Sequence, residues 1–156
     1  MSLITNILVP LDFSAPSREA LRYACGLADA VGASLHVLHA VQTPLMPGGS
    51  IELPLPDPWL IEQLEEEGRT LLDASLTDAQ KQAYRAVLVQ RSGDAGREIL
   101  DYVRERGDID LIVMATHGRG GISRFMMGSV ADHVIREAPC PVLTLRAPAV
   151  AGRRAA

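Results

Sequence analysis

The sequence predicts a doubly wound α/β fold, a five-stranded, mostly parallel sheet with helices on both faces. Three observations predict it. Apolar, β-rich runs alternate with segments of helical periodicity from end to end, and that alternation builds parallel strands joined by right-handed crossovers. One run, Leu111-Ile112-Val113-Met114-Ala115, is apolar throughout, as a strand covered on both faces must be. The length of 156 residues suits one domain able to bury a sizeable core; residues 1–147 form that domain and 148–156 a flexible tail.

The first strand is read over Ile4 to Leu11. Asp12-Phe13-Ser14-Ala15-Pro16 then turns the chain into a helix in which Ala20, Leu21, Ala24, Leu27, Ala28 and Val31 recur at helical spacing. Ser14 is its N-cap, Pro16 lies in its first turn and Gly32 is its stop. Leu35 to Val41 is the second strand. Residues 42 to 58 hold five prolines and two adjacent glycines, a density that leaves only a long surface loop. Trp59 to Leu76 is a helix whose acidic face, Glu62, Glu65, Glu66 and Glu67, is a solvated surface. Val87 to Gln90 is the third strand, Asp94 the N-cap of the next helix, and Ile99, Leu100 and Val103 that helix's inward stripe. Ile109 to Ala115 is the fourth strand. A glycine-rich loop, a helix from Ser129 to Ala138 and a last strand, Val142 to Leu145, complete the chain.

Composition narrows the function. Hydrophobic residues are 47% and charged residues 22% of the chain, a globular balance. No apolar run reaches the ~20 residues a bilayer span needs, and the N-terminus lacks the zones of a signal peptide, so the expected location is cytoplasmic and off the membrane. A net charge of −4 argues against nucleic acid. Lys81 is the sole lysine and sits far from any glycine-rich segment, which excludes a P-loop. Cys25 and Cys140 have no CxxC spacing and are read as buried thiols. His36 and His39, three apart on one strand, face opposite sides and cannot share a metal; His117 and His133 also lack a ligand set, so no protein metal site is expected.

In a doubly wound sheet, ligands sit outside the carboxyl ends of the strands where strand order reverses. The polar punctuation lies at those ends: Asp12 after the first strand, Ala40 closing the second, and the loop Ala115-Thr116-His117-Gly118-Arg119-Gly120-Gly121-Ile122-Ser123-Arg124-Phe125-Met126-Met127-Gly128-Ser129 after the fourth. Gly118 permits close backbone approach, and Gly128-Ser129 opens a helix whose unpaired N–H groups favour an anion, most naturally phosphate.

These segments resemble the ATP-binding type of the universal stress protein family. The family's nucleotide signature is Gly, two residues, Gly, nine residues, then Gly and Ser or Thr; here that frame holds Ala115, Gly118, Gly128 and Ser129. Ile7-Leu8-Val9-Pro10-Leu11-Asp12-Phe13-Ser14, Leu38-His39-Ala40 and Pro139-Cys140-Pro141-Val142-Leu143 match as well. The resemblance implies a Rossmann-like three-layer fold with strand order 3-2-1-4-5. It implies that Pro10, Leu11 and Ala40 line the base of an ATP, ADP or AMP molecule, with Met114 and Ala115 closing the fourth strand beside it. Asp12 would then face the ribose, and Gly118, Arg119, Gly128, Ser129 and Val130 the phosphates, with any Mg²⁺ held mainly by those phosphates. The departure is Ala115 for the first glycine, harmless where its φ is negative and its methyl points into the sheet. The resemblance also implies stress-response regulation by a binding module, read by an unknown protein partner, and a homodimer through Val142 to Leu145. A slow ATPase or phosphotransferase, and a nucleotide-free interaction protein of the same fold, are the alternatives.

Overall fold

Strand β1 (Asn6–Pro10) lies in the middle of the sheet, and the rest of the fold follows from what flanks it. The computed structural model describes residues 3–42, 57–117 and 127–146. Within them run α1 (Ala15–Val31), β2 (Ser34–Val41), α2 (Pro58–Asp73), α3 (Asp78–Ala83), β3 (Val87–Ser92), α4 (Ala95–Arg106), β4 (Leu111–Ala115), α5 (Ser129–Glu137) and β5 (Val142–Leu145). The strand order is β3-β2-β1-β4-β5, and all four pairings are parallel. Ile7 stands opposite Leu35 of β2 on one side and Leu111 of β4 on the other, so chain direction reverses its march across the sheet at β1.

Alternation along each strand splits the apolar residues into two cores. Ile7, Val9, Leu35, Val37 and Val113 pack beneath Ala20, Leu21 and Ala24 of α1 and Leu72 of α2. Leu8, Leu38, Ile112 and Met114 pack beneath Ile99, Tyr102 and Val103 of α4 and Ala131 and Val134 of α5. Helices therefore cover both faces, and β1, β2 and β4 carry almost no water-exposed side chains because each belongs to both cores.

Local chemistry sets the helix ends. Ser14 caps α1 by accepting from Ser17 N, and Gly32 ends it at φ 74°, a left-handed conformation that glycine adopts without steric cost. Asp57, Thr77 and Asp94 cap α2, α3 and α4 through their side chains.

Several element boundaries differ from the sequence reading. The helix read over Trp59 to Leu76 runs from Pro58 to Asp73, and a further helix, α3, follows. Thr77 and Gln80 form a reciprocal capping box there, a four-residue signal that starts a helix too short to show apolar periodicity. The fourth strand starts at Leu111 rather than Ile109. Asp110 spends its carboxylate on β1 instead, accepting from Thr5 N at 2.8 Å, Thr5 Oγ1 at 2.7 Å and Asn6 N at 3.0 Å. The first strand is correspondingly shorter than Ile4 to Leu11, although Leu11 N still donates to Leu38 O at 2.8 Å. The third strand continues past Gln90 to Ser92, since Arg91 and Ser92 pair with Ala40 and Val41.

Candidate functional site

A cleft of about 800 Å³ opens where β1, β2 and β4 end, within the usual range of ~300–1,000 Å³ for small-molecule sites. Pro10, Leu11, Asp12, Ala40, Met114, Ala115, Gly128, Ser129 and Val130, the nine expected site residues that the structure describes, all line it. Gly118 and Arg119 lie outside the described residues, as do Arg124 and positions 43–56 of the proline-rich stretch.

Asp12 is placed by the turn between β1 and α1. Its Oδ1 accepts from Ser14 N at 3.0 Å and from Ser14 Oγ, while Ser14 Oγ also accepts from Ser17 N at 3.3 Å. The carboxylate thus shares the helix-capping network and supports the turn, whereas the sequence reading assigned it to a ligand alone. Phe13 follows at φ 64°. A bulky residue there carries roughly 1–2 kcal/mol of steric cost, so its surroundings must hold it.

Those surroundings are the α1-side core, against which Phe13 packs, and His39, which the sequence reading treated as a bystander. Its ring lies 4.4 Å from that of Phe13, and its Nδ1 is 2.8 Å from Leu11 O. A carbonyl only accepts, so Nδ1 carries a proton. His36, three residues earlier, faces the other side, with Nδ1 2.7 Å from Tyr102 Oη of α4; the two histidines occupy opposite faces, as their spacing predicts.

The opposite wall is the start of α5. Gly128 N donates to Thr116 O at 2.7 Å, tying the two ends of the glycine-rich loop together. A Cβ on Gly128 would stand 3.1 Å from that same carbonyl, so the close approach selects glycine even though φ is −61°. Among the described helices α5 is the one with no side-chain cap. The N–H groups of Ser129, Val130 and Ala131, beyond reach of any helix carbonyl, therefore border the cleft with the positive end of the helix dipole behind them. Ala115 is buried within β4, its φ is not positive, and strand alternation puts its methyl on the α1 side with Val113.

The sequence reading missed the third wall. Leu64, Glu67, Gly68 and Leu71 of α2 line the cleft, and nothing in a periodic pattern says that one end of a surface helix overhangs the strand ends. The acidic stripe is otherwise solvated or paired: Arg69 bridges Glu66 at 2.9 Å, and Glu65 accepts from Ser92 Oγ at 2.7 Å. Lys81 sits on α3, bonded to Asp73 at 2.7 Å. Among the described residues no cluster of three metal-ligating side chains occurs, and Asp12 and Glu67 are the carboxylates that line the cleft.

The Universal stress protein family profile matches residues 4–146. The chain belongs to this family. As a universal stress protein it is 32% identical over 149 residues to a relative from Methanocaldococcus jannaschii, an alignment covering 94% of this chain and 85% of that one. The solved UspA of Lactobacillus plantarum superposes with a TM-score of 0.73 at 28% identity, covering 91% of this chain and 97% of the other. A universal stress protein solved in complex with cAMP shares the fold at a TM-score of 0.62 and 22% identity, over 92% and 98% of the two chains. Among the described residues of this family member, no helix is long and apolar enough to cross a membrane.

Proposed function

We propose that this universal stress protein is a cytoplasmic regulatory module that binds ATP, or its ADP and AMP counterparts, in the cleft at the carboxyl ends of β1, β2 and β4. The observation that carries this reading is the pairing of opposite walls. One presents the uncapped, glycine-opened start of α5 and the other the Asp12 carboxylate. Backbone N–H groups at a helix start donate to phosphate oxygens, and a carboxylate accepts from ribose hydroxyls. Between them, the edges of Pro10, Leu11, Ala40 and Met114 offer an apolar seat for a base. A structural relative holding cAMP, an adenine nucleotide, supports the same class of guest.

Gly118 and Arg119 would complete the phosphate contacts. A Mg²⁺ ion would ride on the phosphates, because the two cleft carboxylates lie on different walls and offer it no ready set of protein ligands. Occupancy would shift the loop and the helix it opens, and a partner protein would read that shift as part of a stress response.

Isothermal titration with ATP, ADP, AMP and cAMP tests the reading. Wild-type protein is expected to bind ATP, and Gly128→Val to lose at least tenfold in affinity with its far-UV circular dichroism unchanged, because bulk at Gly128 pushes the Thr116 carbonyl and the first N–H groups apart. Unchanged affinity would remove the phosphate from α5. Phosphate release with Mg²⁺ at about 1–10³ s⁻¹, the usual enzymatic range, would overturn the binding-module reading in favour of an ATPase.

A further inference from the structure

His39 is buried on the α1 and α2 side of the sheet, and each edge of its ring meets a different wall of the cleft. Nδ1–H donates to Leu11 O at 2.8 Å, one residue before Asp12. The ring face meets Phe13, one residue after Asp12, with centroids 4.4 Å apart. The far edge lies under α2, where a Cβ on Gly68 would stand 3.1 Å from His39 Cδ2 and 3.3 Å from Nε2. Gln90, the register neighbour of His39 on β3, shares that space: its Oε1 would be 2.7 Å from the same Cβ, and its Nε2 donates to Glu65 O of α2 at 2.9 Å. The ring is therefore held at Nδ1 and against Phe13, and glycine at position 68 leaves the space that its far edge occupies.

From this geometry we infer that His39 is a positioning residue for nucleotide recognition, acting through Asp12. The residues on either side of Asp12 are the two that His39 holds, and the second of them, Phe13, sits at φ 64°, a conformation that a bulky side chain abandons once its support is removed. With the ring in place the turn keeps Asp12 on the cleft wall. Without it, Phe13 relaxes toward negative φ and Asp12 swings with it. The Ser14 N–H and Oγ bonds that Asp12 Oδ1 already accepts then keep the carboxylate on the helix cap and draw it off the cleft wall. The inference rests on the nucleotide reading above.

A double-mutant cycle on ATP affinity tests it. His39→Leu is expected to weaken ATP about tenfold, the scale of one buried hydrogen bond and its consequences, but by less than about twofold when Asp12 is already alanine, because residues acting through one another are not additive. His39→Asn keeps a donor near the Nδ1 position and should stay within about threefold of wild type, whereas His39→Gln, with its donor at the Nε2 position, should fall with the leucine variant. That comparison uses two polar, near-isosteric replacements and stands even if His39→Leu fails to fold. Equal losses with and without Asp12, or equal affinities for the Asn and Gln variants, would make His39 a packing residue only. A wild-type chain that binds no ATP would overturn the nucleotide reading and this inference with it.

Discussion

Asp12 serves the fold and, in the proposed reading, the ligand with one side chain, and the two duties can be separated by substitution. Asp12→Ala removes the acceptor of Ser14 N and Oγ and is expected to cost about 1 kcal/mol of stability, the scale of a lost cap. Asp12→Asn keeps a carbonyl oxygen for that network but removes the charge that the proposed contact with ribose hydroxyls needs. Its melting temperature should match wild type within about 1 °C while ATP affinity falls at least fivefold; a Tm shift of this size corresponds to a few tenths of a kcal/mol for a domain of this length. An asparagine variant that binds ATP normally would move the ribose away from Asp12. The sequence showed that a carboxylate stood at the strand end. It did not show the network, because an Asp two residues before a Ser cap looks the same whether it faces the helix or the cleft.

At the scale of elements, α4 is seated on β2 through a polar contact inside an apolar layer. His36 is 2% exposed and bonds Tyr102 Oη, whose ring also carries the Arg91 guanidinium 5.4 Å from its centroid. Burial, and secondarily the positive charge of Arg106, lowers the His36 pKa below its ordinary value; Asp108 opposes this weakly. The neutral imidazole is thus the native form, and the unfolded chain takes up the proton first. Stability from this group is complete above the unfolded value near ~6.5 and declines as pH falls below it toward the lowered native value. The urea midpoint should drop between pH 7 and pH 5, and His36→Leu should flatten that slope; parallel slopes would place the titration elsewhere. Elements of this kind were legible where burial and periodicity agree, as in β4 and α1. The short α3 was not, since six residues make fewer than two turns and its capping box was the only signal. The α2 wall was not either, because overhang is a property of how a helix is docked and not of its own sequence.

For the whole molecule, the order β3-β2-β1-β4-β5 leaves β3 and β5 as edges, and β5 is the expected dimer strand. Leu143 and Leu145 pack against the α1-side core, so charging either one would damage the fold before it tested association. The carbonyls of Pro141 and Leu145 accept from Ile112 N and Thr116 N of the β4 segment. Alternation then turns the N–H and C=O of Val142 and Thr144 outward. Thr144→Pro removes an outward donor and spares the internal ladder, a replacement edge strands tolerate. We expect light scattering to give about twice the 16.8 kDa chain mass for wild type and one chain mass for Thr144→Pro; a variant that remains dimeric would move the interface off β5. The rim residues of the cleft were readable in advance because a doubly wound sheet obliges every parallel strand to end on the same side, whatever its loops contain.

The central place of β1 also governs how the chain can be made. Residues 6–10 leave the ribosome before the other strands, yet their second neighbour, β4, begins at Leu111, about a hundred residues and roughly 5–20 s of synthesis later. Until then β1 can pair only with β2, and its other edge, beside the fully buried Ile7 and Leu8, stands open. A nascent three-stranded intermediate of order β3-β2-β1 therefore presents its most apolar strand to solvent, and a second nascent chain can supply the missing neighbour. Translation that pauses before β4 should raise aggregation, and faster delivery of the segment from Leu111 onward should lower it.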